Sequence, residues 1–163
     1  MKHVANIITV SRLIGTAILL LLYLESGTVT LSFFLLFLWT TLSDLADGYF
    51  ARKYETVSNF GKIVDPIADK LLSFLVFFVV YDLGFLHWAA LVYIVTKEVG
   101  VTVYRLKKAS EGVILSAFKF GKVKTAFNFL AFVVFFLTII LVDAGIVQEV
   151  PLLIKILIWL AVI

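Results

Sequence analysis

Six apolar runs, each bounded by polar or charged residues, leave this chain few ways to fold. They cover about residues 7–24, 29–50, 61–81, 85–104, 121–142 and 151–163. Roughly 18 or more apolar residues are enough for a helix to cross a bilayer, and five of the runs reach that length. The expected fold class is therefore all-α, a polytopic integral membrane protein with six transmembrane helices in one domain over residues 1–163. A hydrophobic content of 63% lies far from the soluble mixture, in which about half the residues are apolar and a quarter charged. The sixth run has about thirteen residues, or roughly 20 Å of helix. That is short of a full bilayer core, so either the natural chain continues or this helix is incomplete here.

The cations fix an orientation. Lys2, Arg12, Arg52, Lys53, Lys62, Lys70, Arg105, Lys107, Lys108, Lys119, Lys122 and Lys124 fall on the side of the N-terminus and the even-numbered connections. The opposite turns carry Glu25, Asp82, Asp143 and Glu149 and neither Lys nor Arg. Lysine and arginine mark the cytoplasmic side, which puts the N-terminus and the basic connections there, in a multi-pass protein of the cell membrane. The same asymmetry explains the pI of about 9.1 as topology and argues against a nucleic-acid partner. The N-terminal segment has the charged start and apolar run of a signal peptide. No small-x-small site follows Leu24 and a second apolar run begins at once, so cleavage is not expected.

Between the second and third runs stand four carboxylates, Asp44, Asp47, Asp65 and Asp69. Ionised groups at membrane depth are expensive and mark function. On a helix, Asp44, Asp47, Gly48 and Ala51 share one face, as do Asp65 and Asp69 on the next. Both pairs lie at the same membrane side, where they would repel one another unless cations neutralise them. Oxygen donors without His or Cys select Mg²⁺, Mn²⁺ or Ca²⁺ over zinc. The chain contains no cysteine, so disulfides, thiolate metal sites and cysteine nucleophiles are excluded. A structural cation site that only holds helices together is the bland alternative, and a costly use of four acids.

The full spacing is D-x2-D-G-x2-A-R-x8-G-x3-D-x3-D, eight specified residues over twenty-six positions, closed by Arg52, Gly61, Asp65 and Asp69. It resembles the signature of the CDP-alcohol phosphotransferases, integral membrane enzymes of phospholipid synthesis, at every fixed position. The resemblance implies a two-metal site of Mg²⁺ or Mn²⁺ held by Asp44, Asp47, Asp65 and Asp69, with Asp69 also the general base. It implies that Gly48, Ala51 and Arg52 line a CDP site and that Gly61 permits close packing there. Asn6, Thr9 and Arg12, spaced as N-x2-T-x2-R, resemble the start of family members, and Asn6 and Thr9 would join the CDP side. Taken alone, Asn6 reads as a helix cap and Arg12 as a lipid-headgroup anchor.

The segments 97–105 (KEVGVTVYR) and 116–125 (SAFKFGKVKT) resemble those of bacterial phosphatidylglycerophosphate synthases, in which the first usually begins R-E. Here Lys97 keeps the charge and loses the bidentate fork. The likeness implies CDP-diacylglycerol as donor and sn-glycerol 3-phosphate as acceptor, held by Arg105, Lys122, Lys124 and Lys97. Inositol phosphate, or phosphatidylglycerol as in a cardiolipin synthase, remains an alternative acceptor. The likeness also implies a homodimer. Two other classes stay open on the residues alone, a membrane prenyltransferase and a cation transporter. His3, His87, Trp39, Trp88 and Trp159 read as structural or interfacial.

Overall fold

The computed structural model describes residues 2–54, 59–110 and 119–162, with side chains at 10–43, 68, 70–104, 107 and 123–162. They form six α-helices: α1 Lys2–Ser26, α2 Leu31–Tyr54, α3 Asn59–Asp82, α4 Trp88–Ser110, α5 Lys119–Asp143 and α6 Leu152–Val162. The all-α class and the helix count agree with the apolar runs. Some helices overrun them where the helical path continues past the run, so α1 takes in Asn6, and α2 takes in Ala51 and Arg52. The third apolar run begins at Gly61, whereas α3 starts at Asn59 and holds Pro66 well inside it. There its ring offers no N–H to the Lys62 carbonyl.

The chain divides within α3 into two compact units, Met1–Val76 and Phe77–Ile163. In the first, α1 packs on α2. The inward stripe of α1 is Arg12, Thr16, Leu19 and Tyr23, and that of α2 is Phe33, Phe37 and Thr40, all buried and spaced by three or four residues as one helix face requires. Glycine at position 15 lets the two backbones close: a Cβ there would stand 3.0 Å from Thr40 Oγ1. At the turn, Tyr23 meets Phe33 edge-on with ring centroids 6.2 Å apart. Thr30 caps α2, its Oγ1 accepting the Phe33 N–H at 3.2 Å.

The second unit is built on aromatic edges. Phe132, Phe135 and Phe136 of α5 are buried. Phe77 meets Phe132, and Phe85 meets Phe135, each with centroids 5.0 Å apart and near-perpendicular rings, the arrangement a ring quadrupole favours. α6 packs on α5. Helices α3 and α5 both end in glycines of positive φ, Gly84 at 81° and Gly145 at 72°. At each, the glycine N–H and the following N–H turn back to carbonyls of the last turn, which closes the orphan acceptors in a Schellman motif. α4 is started by His87, whose Nδ1 accepts the Ala89 N–H at 3.3 Å.

Outward faces are as apolar as inward ones. Val10, Ile14, Ile18, Leu21 and Leu24 are exposed along α1, and Leu31, Leu35, Trp39 and Leu42 along α2. All three tryptophans are exposed. Among the described residues one helix, Val123–Asp143, with mean hydropathy 2.5 over its most apolar window, is long and apolar enough to cross a membrane. Leu31–Ser43 and Leu152–Val162 are shorter apolar helices.

Two glycine substitutions should therefore act in opposite directions in thermal unfolding in detergent micelles. Gly15→Leu forces a side chain into Thr40 and should cost about 1–3 kcal/mol. Gly100→Ala meets no atom within 4 Å and should gain up to about 1 kcal/mol of helix propensity.

Candidate functional site

All four aspartates stand on helical backbone in the Met1–Val76 unit, Asp44 and Asp47 on α2 and Asp65 and Asp69 on α3. Their side chains lie outside those described, so their placement is read from the helices that carry them. On α2 the sequence Asp44, Asp47, Gly48, Ala51 recurs at three and four residues, as one face requires. On α3, Gly61, Asp65 and Asp69 recur every four. Arg52 lies on α2 beside Ala51.

The two pairs lie at similar distances along their helices from the connection that joins them. Asp47 comes seven residues before the end of α2 and Asp65 six after the start of α3, or about 10 Å and 9 Å along the two helices. Residues 55–58 join the helices, and a link of that length reaches at most about 18 Å. The two pairs therefore lie at similar helical distances from the connection between α2 and α3.

The donor set suits a hard divalent cation. It is all carboxylate oxygen, the ligand type that Mg²⁺ and Mn²⁺ take. Among the described residues, which leave out the side chains of the four aspartates, no group of three or more His, Asp or Glu comes together. His87 is occupied as a helix cap.

On α1, Asn6 and Thr9 lie one turn apart in the same unit, and their side chains fall outside those described. Arg12 is described, and it is 5% exposed. That burial, on the same stripe as Thr16 and Leu19, removes the reading of Arg12 as a headgroup anchor, because an anchoring guanidinium must reach the interface. Hydropathy could not reveal this, since a charged residue at the mouth of an apolar run scores the same whether it points in or out.

The candidate acceptor cations belong to the Phe77–Ile163 unit, Lys97 and Arg105 on α4 and Lys122 and Lys124 on α5. The side chains of Arg105 and Lys122 fall outside those described. Lys124 is half-buried. Lys97 is half-buried too, and its Nζ donates to the carbonyl of Val162 at 2.6 Å. That bond was not legible in the sequence.

A family model for CDP-alcohol phosphatidyltransferase matches residues 2–163. Curated relatives agree in kind. The CDP-diacylglycerol--glycerol-3-phosphate 3-phosphatidyltransferase of Bacillus subtilis is 43% identical over 93 residues, 56% of this chain and 47% of that protein. Its namesake in Rickettsia typhi is 44% identical over 73 residues, 44% and 41% of the two chains. A probable phosphatidylglycerophosphate synthase of Mycobacterium tuberculosis is 37% identical over 127 residues, 76% and 60%. The chain spans about half the length of the curated relatives it matches. With the eight-residue aspartate signature intact and the family model matched from residue 2 to residue 163, this chain belongs to the CDP-alcohol phosphatidyltransferase family.

Proposed function

We propose that the chain transfers a phosphatidyl group from CDP-diacylglycerol to sn-glycerol 3-phosphate, releasing CMP and forming phosphatidylglycerophosphate. The observation that carries this reading is the complete aspartate signature, with one pair on α2 and the other on α3. The printed names of the relatives, phosphatidylglycerophosphate synthase and CDP-diacylglycerol--glycerol-3-phosphate 3-phosphatidyltransferase, support the donor and the acceptor.

Asp44, Asp47, Asp65 and Asp69 would hold two Mg²⁺ or Mn²⁺ ions. Bound there, such ions supply charge stabilisation to the attacking and leaving oxygens of an in-line displacement. The chain's own residues do the rest. Arg52 offers a planar fork to the diphosphate. Gly48, Ala51 and Gly61 keep the approach to the backbone open, with Asn6 and Thr9 on the same CDP side. Asp69 takes the proton from the acceptor hydroxyl as its oxygen attacks the lipid-bearing phosphorus. The phosphorus–oxygen bond to CMP breaks as the new phosphodiester bond forms, directly and without a covalent enzyme intermediate. Arg105, Lys122 and Lys124 supply positive charge for the acceptor's phosphate, which favours a phosphorylated alcohol over choline, ethanolamine or serine.

The family is membrane-bound, and we read all six helices as spans of the cell membrane in a homodimer, with the N-terminus and the aspartates facing the cytoplasm. The apolar outward faces of α1 and α2 support this reading, because exposed apolar surface on that scale calls for lipid or a partner. The one-sided distribution of Lys and Arg supports the orientation.

Purified protein given CDP-diacylglycerol, sn-glycerol 3-phosphate and Mg²⁺ or Mn²⁺ should release CMP, and a chelator should stop it. Release only with inositol phosphate or phosphatidylglycerol would move the chain within its family. Release with no acceptor at all would overturn the proposal, and prenyl transfer or metal flux would point to the other two classes. Asp69→Asn should lower turnover by about 10²-fold or more while leaving most of the donor binding in place; an active variant would remove the proposed base. For topology, single cysteines at Ser26 and Gln148 should react with an impermeant maleimide added outside intact cells. A cysteine at Lys107 should react only after permeabilisation.

A further inference from the structure

The inward face of α4 is set by Ala90 and Ile94, both buried. Lys97 continues that stripe one turn later, since residues three and four apart share a helix face. An ammonium drawn in along an apolar stripe is costly unless it meets an acceptor. Its four-carbon stem can lie along the apolar surface while the charged end searches further.

The acceptor it finds is on another helix. Lys97 Nζ donates to the backbone carbonyl of Val162 at 2.6 Å, across 65 residues of sequence. It also lies 5.2 Å from the centroid of the Tyr93 ring, one turn back on α4, where a cation gains from the ring face. The target end of α6 is itself inward, with Ile158, Ala161 and Val162 all buried. A carbonyl has two lone pairs, so the bond is compatible with α6 continuing its own ladder.

We infer that Lys97 is a positioning residue, a strut whose ammonium fastens the 162 end of α6 to α4, and that it does not serve the acceptor phosphate. The kinetic part of its test rests on the phosphatidyltransferase reading; the structural part does not. The chain contains no cysteine, so Val101→Cys on α4 and Leu160→Cys on α6, both exposed, give a clean spin-label pair in the full chain in detergent micelles.

Lys97→Met keeps the stem and loses the donor. It should broaden the label distance distribution and lower the melting temperature by about 2–4 °C. The KM for sn-glycerol 3-phosphate should move by less than about twofold. Lys97→Arg retains a donor and should restore the narrow distribution. An unchanged distance and melting temperature in Lys97→Met would overturn the strut. So would a rise of about tenfold or more in the acceptor KM at unchanged label distance. Absence of CMP release by the unsubstituted chain would sink the catalytic reading, and the label distance and melting would still decide the strut.

Discussion

A carboxylate removed from water must be met by a cation, and α2 and α3 offer the aspartates almost none of their own. Within α2, no Lys or Arg lies three or four residues from Asp44 or Asp47. Around Asp69 those positions hold Asp65, Pro66, Leu72 and Ser73. Only Asp65 has a basic helical neighbour, Lys62, one turn back. The two pairs also stack like charge on like charge, which disfavours each helix in isolation by a few tenths of about 1 kcal/mol. Such an arrangement calls for positive charge from outside the helix, which the two divalent ions of the proposed site would supply.

Five helical threonines follow the opposite rule and are satisfied at home. Thr16 donates to the Arg12 carbonyl, Thr40 to Leu36, Thr41 to Phe37, Thr102 to Glu98 and Thr138 to Val134, each four residues back at 2.7–2.9 Å. In an apolar surrounding a hydroxyl without a partner is costly, and the preceding turn of its own helix always presents a carbonyl within reach. These side chains therefore make no demand on neighbouring helices. Association is left to shape, the close approach at Gly15 and Thr40 in one unit and the ring edges of Phe132 and Phe135 in the other.

What was legible in the sequence and what was not divides along the same line. Apolar runs gave the class and the six helices, because burial in lipid or protein selects side chains residue by residue. The helices that carry the aspartates were legible, and on them a 3.6-residue period places Asp44 near Asp47 and Asp65 near Asp69 wherever the helix begins. Helix ends were not. Hydropathy reports the medium around a side chain, whereas a cap such as His87 sets where α4 starts, and α3 begins at Asn59, ahead of Gly61. Nor was the direction of Arg12 or the partner of Lys97, for each depends on which residues come together from distant parts of the chain.

Reach decides which polar side chains can link helices here. A threonine hydroxyl, one bond from Cβ, turns to its own backbone. A lysine ammonium at the end of four methylenes can cross to another helix, as Lys97 does to Val162. An aspartate has the short side chain of the first kind and the full charge of the second, so two aspartates on neighbouring helices repel where they cannot bond. A divalent ion shared between them reverses both terms at once: it neutralises the charge and spans the gap. The group that would make the site chemically competent is therefore also the one that would hold α2 to α3 at that level.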